Sequence, residues 1–255
     1  MPVEVKAPAA QQVLAILGYL SRQAGPVPAA AIARDLDLPR STTYQLLMTL
    51  AESGFVVHLA DERRYSLGLA AYELGSGYAR QEPLQRVARV PLARLVDRTG
   101  HSAHMAVMHG REVVYVIEER AQGRPPLVTD VGVRLPGQLT ASGRAMLAAL
   151  PWAQVRALFP DATSFVSRHE VGPRSLSALR RLLVETRRRG YAMEDGEVTP
   201  GFASIAVAVL DHTGHPVASV AVTYPRDTVG PERRAELVDE VGRTARAISS
   251  RIGGR

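Results

Sequence analysis

Residues 38–56 of the sequence read LPRSTTYQLLMTLAESGFV. Leu46, Leu47 and Leu50 recur there with the period of an α-helix, so one face of the predicted helix is apolar. Gly54 follows at a position typical of a helix C-terminus. The opposite face carries polar side chains that can contact a partner, namely Arg40, Ser41, Thr42, Tyr44 and Gln45.

The sequence on both sides of this helix predicts a winged helix-turn-helix. Two helices are predicted before it, over 11–23 and from Pro28 to Leu36, and a short turn joins the second of them to it. Two β-prone runs after it, Phe55–Leu59 and Arg64–Leu67, predict a hairpin. In this motif the third helix enters the major groove of DNA.

The polar face of the third helix suits double-stranded DNA. Ser41 and Thr42 lie in its first turn, where backbone amides and hydroxyls bind phosphate. Arg40 and Gln45 match the edges of guanine and adenine, and Tyr44 fits either role. The alternative interpretation of these residues is an ordinary solvated helix face.

Two arginines at the tip of the predicted hairpin extend this surface. Arg63 and Arg64 can reach phosphate or the minor groove, although paired arginines at such a tip are also common as solubility residues. The net charge of +6 does not decide between these roles. Residues 1–80 contain seven basic and seven acidic side chains, so the positive surplus lies in the remainder.

Composition places the chain among globular proteins. The 255 residues suffice for two domains, and no apolar run approaches the roughly 18 residues of a membrane helix, so no membrane partner is predicted. The absence of cysteine excludes disulfides and thiol catalysis. The first twelve residues lack the apolar core of a signal peptide, and we expect a cytoplasmic protein.

The remaining sequence predicts helices gathered around antiparallel strand pairs, an α+β fold. Helices are predicted over 70–100, 141–150, 175–190 and 231–251, and strand pairs around 109–111 and 211–214. The run of three arginines from Arg187 to Arg189 is predicted to be a solvated helix end.

Several separated motifs resemble the IclR family of bacterial transcriptional regulators over nearly the full length of the chain. They are Leu38-Pro39-Arg40-Ser41-Thr42, Tyr65-Ser66-Leu67-Gly68, Ala141-Ser142-Gly143-Arg144-Ala145, Arg189-Gly190-Tyr191-Ala192, Glu194-Asp195 and Pro200-Gly201. The resemblance implies a DNA-binding domain over 1–68, a linker helix over 69–82 and a GAF-like effector-binding domain over 83–255. It also implies dimers that assemble into tetramers.

The resemblance further implies a pocket for a small organic acid. Its expected residues are Met105, Leu139, Ala141, Ser142, Glu194, Phe202, Ser204, Ala221 and Thr223. Free amides at the start of a helix favour a carboxylate. An ionised Glu194 repels an anion, so this residue is expected to be protonated or to accept a hydrogen bond from a ligand hydroxyl. An aromatic hydroxy acid such as a hydroxybenzoate fits these requirements.

Catalytic and metal sites are not predicted. His101 and His104 fall on opposite faces of a predicted strand, no acid or cysteine completes a site with them and His109, and no cofactor motif is present. Ser142 lacks a nucleophile elbow and is predicted to cap its helix. Two alternatives stay open, a winged-helix regulator whose second domain only oligomerises and an enzyme fused to a DNA-binding domain.

Overall fold

The computed structural model describes residues 7–74, 83–123, 129–168 and 171–254. The chain divides into two compact units, Met1–Glu82 and Pro83–Arg255. In the predicted linker, residues 69–74 are helical, and the other residues of that linker lie outside the described ranges. The functional boundaries at 68 and 82 stay predictions.

The N-terminal unit combines short helices with a small antiparallel sheet of strand order β1-β3-β2. Its described elements are α1 (Pro8–Leu20), β1 (Val27–Pro28), α2 (Ala29–Asp35), α3 (Arg40–Glu52), β2 (Val56–Leu59), β3 (Arg64–Leu67) and α4 (69–74). Ile16, Ile32 and Leu47 are fully buried, and each comes from a different one of the first three helices. These elements form the predicted winged helix-turn-helix.

The turn between α2 and α3 is tight. Asp37 adopts a left-handed conformation with φ of 53°, which Asp tolerates better than most residues. The amide of Leu38 donates a hydrogen bond of 2.8 Å to the carbonyl of Ala33. This turn leaves four residues between the two helices.

Two predicted helix starts in this unit were wrong. Helix α1 begins at Pro8, not at residue 11, because proline needs no amide hydrogen at the first helical positions. Pro28 is the N-cap of α2, with φ of −72° and ψ of 147°, and not its first residue. Pro28 belongs to the two-residue edge strand β1 and pairs with Arg64 of β3. Proline is tolerated on an edge strand.

The C-terminal unit contains one six-stranded antiparallel sheet of order β6-β5-β4-β9-β8-β7. Its elements are α5 (Pro83–Thr99), β4 (Ser102–His109), β5 (Glu112–Glu119), β6 (Arg134–Pro136), α6 (Ala141–Ala149), α7 (Trp152–Leu158), α8 (Leu176–Arg189), β7 (Ala192–Asp195), β8 (Phe202–Leu210), β9 (Pro216–Pro225) and α9 (Pro231–Arg251). This arrangement confirms the α+β prediction.

Alternation along the strands separates the two faces of this sheet. In β9, Val220 and Val222 pack in the core with α5 and α9, whereas Ala221 packs against Ala145 of α6. Successive side chains of a strand point to opposite faces, so α5 and α9 cover one face and α6 covers the other. Helix α8 packs on α6 through Leu183 and its neighbours.

The sequence patterns missed β6, β7 and α7, which contain only three, four and seven residues. The arginine run at the end of α8 agrees with the prediction in part, because Arg187 and Arg188 are exposed and Arg189 is half-buried. Arg187 donates hydrogen bonds to the carbonyls of Ala148 and Leu150, and Arg189 donates to the carbonyl of Tyr191. Of the three, only Arg188 is a largely exposed side chain paired with an acid on its own helix.

Within the described ranges, no helix is both long and apolar enough to cross a membrane.

Candidate functional site

The outer face of α3 presents the predicted DNA-contacting residues together. Thr43, Leu47 and Leu50 are buried in the core of the unit. The side chains of Arg40, Ser41, Tyr44 and Gln45 are exposed on the opposite side, and Thr42 is half-buried at its margin. Met48 and Thr49 are also exposed, one helical turn after Tyr44 and Gln45. The same spacing rule applied to the sequence would have added them to the predicted surface.

The N-terminus of α3 leaves its first amides without a side-chain cap. Pro39 occupies the N-cap position and makes no side-chain hydrogen bond to the helix. The hydroxyl of Thr43 bonds to the carbonyl of Pro39 at 3.1 Å, so this threonine has a structural role. Exposed amides beside the hydroxyls of Ser41 and Thr42 make this end of α3 a suitable phosphate contact.

The hairpin tip places its two arginines in different environments. Arg63 adopts a left-handed conformation with φ of 53° and is exposed. Arg64 is also exposed, but its Nη1 donates a hydrogen bond of 2.9 Å to the carbonyl of Pro26. Arg64 therefore ties the hairpin to the segment before β1 and keeps its other N–H groups available.

A cavity lies between α6 and the sheet of the C-terminal unit. The residues that line it are His104, Tyr115, Thr129, Thr140, Ala141, Ser142, Glu194, Val198, Thr199, Phe202, Ser204, Ala221 and Thr223. Seven of the nine predicted effector residues are among them. The centre of a water molecule can occupy only about 10 Å³ of this cavity, so it has room for little more than one water molecule.

The structure does not bring Met105 and Leu139 to this cavity. Met105 points to the opposite face of the sheet, where it is buried in the core formed with α5 and α9. Its neighbour His104 takes the place in the cavity wall, as strand alternation requires. Leu139 is buried against Gly172, at which an added Cβ would lie 2.4 Å from the Leu139 Cδ2.

Three polar side chains form a hydrogen-bonded row across strands β7, β8 and β9. Ser204 lies directly opposite Glu194 on one side and Thr223 on the other. Its hydroxyl donates to Glu194 Oε1 at 2.7 Å and lies 3.0 Å from Thr223 Oγ1. The amide of Val198 donates to Glu194 Oε2 at 3.4 Å. These contacts make a polar end of the cavity at β7 and β8.

Burial perturbs both acidic groups in the cavity wall. Burial raises the pKa of Glu194 to about 7, although the hydrogen bond from Ser204 opposes this shift. Burial also raises the pKa of Tyr115 well above its ordinary value, so the phenol stays neutral. A pKa near 7 makes both the ionised and the protonated form of Glu194 accessible near neutral pH, and the role of Glu194 towards a ligand stays a prediction.

The start of α6 forms another part of the cavity wall. Thr140 is the N-cap residue, and its Oγ1 accepts a hydrogen bond of 2.9 Å from the amide of Gly143. The prediction that Ser142 caps this helix was wrong, because Ser142 lies two residues further on. An added Cβ at Gly143 would lie 2.2 Å from the carbonyl oxygen of Gly137, so glycine permits this close approach.

Arg144 holds α6 in place from behind the cavity. Its buried guanidinium donates to the carbonyls of Gln138 at 2.8 Å and Met193 at 2.7 Å. The third hydrogen bond, of 2.7 Å, goes to Glu197 Oε1. One side chain thus connects the segment before α6 with β7 and the turn that follows it.

Five cavity residues outside the predicted set are polar: His104, Tyr115, Thr129, Thr140 and Thr199. The Nε2 atom of His104 lies 2.8 Å from Thr129 Oγ1 and 3.8 Å from Glu118 Oε1, an acid that sequence reasoning did not associate with it. Across the described ranges no group of three or more potential ligands could hold a metal ion.

Family models match both units. Residues 9–60 match the IclR helix-turn-helix domain, and residues 76–250 match the C-terminal domain of the bacterial transcriptional regulator IclR. The chain belongs to the IclR family of bacterial transcriptional regulators. The motifs that suggested this family include residues of α3, of the hairpin strand β3, of α6 and of β7.

Relatives within the IclR family cover nearly the whole chain. The transcriptional repressor AllR of Klebsiella pneumoniae is 30% identical over 250 residues, which are 97% of this chain and 90% of that protein. The crystal structure of Thermotoga maritima IclR is 27% identical, with a TM-score of 0.72 and coverage of 96% and 98%. An IclR homologue from Microbacterium hydrocarbonoxydans, complexed with 4-hydroxybenzoate, shares the fold at 24% identity, with a TM-score of 0.78 and coverage of 96% and 98%.

The matched family and the curated relatives are named transcriptional regulators or repressors, not enzymes, which favours a regulator over the enzyme alternative. The chain is a DNA-binding transcriptional regulator of the IclR type.

Proposed function

We propose that this IclR-family regulator acts as a repressor, binds a small hydroxy acid in the cavity beside α6 and changes its affinity for operator DNA when it does so. The DNA-binding part of this proposal rests on the exposed polar face of α3. This face lies opposite the fully buried Leu47, and the hairpin tip of the same unit is also exposed. A repressor of this kind acts where bacterial DNA lies, so we place it in the cytoplasm.

On DNA, Arg40 and Gln45 read base edges and Ser41 and Thr42 contact phosphate. Tyr44 lies between these two pairs on the exposed face and supports either contact. One unit with balanced charge offers too small a surface for specific binding, so two copies act together as a homodimer or within a tetramer. The operator is then a near-palindrome with half-sites about one helical turn apart.

Replacing Arg40 or Gln45 by Ala is expected to weaken binding to the operator by about 1–3 kcal/mol each and to change binding to random DNA much less. Arg64→Ala is expected to weaken binding to both DNAs and to reduce the slope of affinity against salt concentration, because it removes a phosphate contact. Fluorescence anisotropy of the full chain, on an operator selected in vitro and on a scrambled duplex, measures these differences.

The matched control is Arg22→Ala, which removes an exposed arginine just after α1. It should leave both affinities nearly unchanged. Equal losses for Arg40→Ala and Gln45→Ala on operator and scrambled DNA would contradict the base-reading assignment.

The cavity supports a ligand that carries both an acid and a hydroxyl. The polar end of the cavity consists of Glu194, Ser204 and Thr223. It can accept a hydrogen bond from a ligand hydroxyl, because a carboxylate accepts hydrogen bonds and repels anions. The amides of Ala141 and Ser142 at the start of α6 favour a carboxylate. The Microbacterium homologue is complexed with 4-hydroxybenzoate, a molecule of this class.

An aromatic ligand requires the cavity to open. Pockets for organic ligands measure about 300–1,000 Å³, and this cavity has room for little more than one water molecule. Binding therefore favours an opened form of the C-terminal unit, and this difference between two forms is what a ligand needs in order to act on DNA affinity.

The small size of the cavity also favours the second candidate, a C-terminal unit that only oligomerises. Thermal unfolding in the presence of a panel of small carboxylates separates the two functions. A sensing unit is stabilised in proportion to the logarithm of the ligand concentration above its Kd, and a non-sensing unit is not stabilised.

A further inference from the structure

The two polar ends of the cavity lie on different strands of the sheet. Glu194 is on β7, and His104 is on β4, which is three positions away in the strand order. Three strand spacings of about 4.8 Å place the two backbones about 14 Å apart. Between them the floor of the cavity includes Ala221, which lies directly opposite His104 and is too small to fill the space.

His104 contacts neighbouring side chains through one ring nitrogen, and its other ring nitrogen has no hydrogen-bond partner within the described ranges. Its ring is fully buried, with Nε2 at 2.8 Å from Thr129 Oγ1 and 3.8 Å from Glu118 Oε1. The nitrogen without a partner is Nδ1, which is also buried. Buried nitrogens are almost always hydrogen-bonded, so an orphaned one in a cavity wall points to a ligand contact.

Glu118 gives this end of the cavity its electrostatic character. Burial alone would raise the pKa of Glu118, but the nearby His104 and the hydrogen bond from Arg120 bring the pKa below its ordinary value. Its Oε2 accepts a hydrogen bond of 2.9 Å from Arg120, whose Nη2 lies 3.2 Å from Asp130. Glu118 Oε1 lies 3.8 Å from the imidazole without a hydrogen bond to it, so an ionised Glu118 acts on the ring through its charge, and Arg120 balances that charge on the outer side.

The state of Nδ1 depends on which partner of the Nε2 contact holds the proton. If Nε2 accepts a hydrogen bond from the Thr129 hydroxyl, a neutral imidazole carries its proton on Nδ1, which is then a donor. If Nε2 donates to Thr129 instead, a neutral ring leaves Nδ1 as an acceptor. A ligand carboxylate needs a donor and therefore selects the first arrangement. Among the described residues that line the cavity, His104 is the one with a basic side chain.

We propose that His104, positioned by Glu118 and Thr129, binds the acid group of the ligand at the end of the cavity opposite Glu194. This inference rests on the proposed function and makes it more specific. The ligand is a hydroxy acid whose carboxylate and hydroxyl are at opposite ends of the molecule. Its carboxylate contacts His104 Nδ1 and the first amides of α6, and its hydroxyl contacts Glu194.

The test compares two probes that share the phenol ring and differ in the group opposite the hydroxyl, the carboxylate of 4-hydroxybenzoate and the neutral hydroxymethyl group of 4-hydroxybenzyl alcohol, by calorimetry on the full chain. In His104→Gln, affinity for 4-hydroxybenzoate should fall about 10- to 100-fold, because a charge-assisted hydrogen bond is lost. Affinity for 4-hydroxybenzyl alcohol should change less than about threefold, since that probe has no acid group to lose.

Glu118→Gln provides a second variant in case His104→Gln does not fold. Glu118 does not line the cavity, and the amide keeps its size, so this variant tests the positioning of the imidazole. It should weaken binding of 4-hydroxybenzoate alone, by a smaller factor than His104→Gln. Glu112→Gln, on the same strand and half-exposed, is the control and should bind both probes as the wild type does.

The outcomes separate this inference from the proposed function. Equal losses for both probes, or no loss for either, would overturn the role of His104 and leave the hydroxy-acid pocket standing. Wild-type protein that binds neither 4-hydroxybenzoate nor glycolate at millimolar concentration would overturn the ligand class, and the role of His104 with it.

Discussion

Replacing Arg144 by Met is expected to lower the free energy of unfolding of the C-terminal unit by about 3–5 kcal/mol, the range for breaking a buried ion pair. The guanidinium is buried and donates three hydrogen bonds of 2.7–2.8 Å. Its removal leaves Glu197 Oε1 and two carbonyls without this donor, whereas Glu197 Oε2 keeps the amide of Asp195. Urea denaturation of the full chain, followed by far-UV circular dichroism, measures the loss.

Arg188→Met is the matched control for this experiment. Its side chain is 76% exposed and pairs with Glu185 one turn earlier on α8, so the expected change is below about 1 kcal/mol. Arg144→Lys keeps the charge but cannot donate the same three hydrogen bonds from a planar guanidinium. Its loss of unfolding free energy should lie between those of Arg144→Met and Arg188→Met. An Arg144→Met variant that loses no more stability than Arg188→Met would show that the network does not hold α6 in place.

The stability of the wild type should fall relative to that of Glu194→Gln as the pH rises from about 4.5 to about 7. Burial raises the pKa of Glu194 from 4.5 to about 7, so the native state binds this proton more tightly than the unfolded state does. Stability therefore decreases with pH inside that window and is constant on either side of it. The shift corresponds to about 3 kcal/mol in total.

The measurement is the difference in unfolding free energy between Glu194→Gln and the wild type at several pH values. Taking this difference cancels the free-energy contributions of the other groups that titrate in the same pH range. Glu185→Gln serves as the control, because Arg188 lowers the pKa of Glu185 and any effect then has the opposite sign and lies at acidic pH. A difference that stays constant between about pH 4.5 and pH 8 would contradict the raised pKa.

Long, strongly patterned elements were predictable from the sequence. The apolar stripe of α3 identified its buried face, and Pro231 marked the start of α9 because proline is favoured at the first helical position. Strands β6 and β7 were not predictable, since three or four residues at a sheet edge carry too few alternations to form a pattern. They become strands because β5 and β8 offer them a hydrogen-bonding edge.

The cavity was predictable only in part. Motifs around Ser142 and Glu194 led to seven residues that the structure brings together. His104 lines the cavity in place of the predicted Met105, because a shift of one position along a strand moves a side chain to the other face of the sheet. The register of β4 against β9 decides the face, and the sequence does not display it. No local pattern connects Tyr115 or Thr129 with the cavity.

Ligand-dependent DNA binding is the central claim, and operator affinity measured with and without ligand tests it most directly. Fluorescence anisotropy of the full chain on its selected operator, with 4-hydroxybenzoate and glycolate titrated in, should show a change in Kd of about 5- to 150-fold for the ligand that binds. A ligand that raises the Tm of the C-terminal unit yet leaves the operator Kd unchanged would contradict the account.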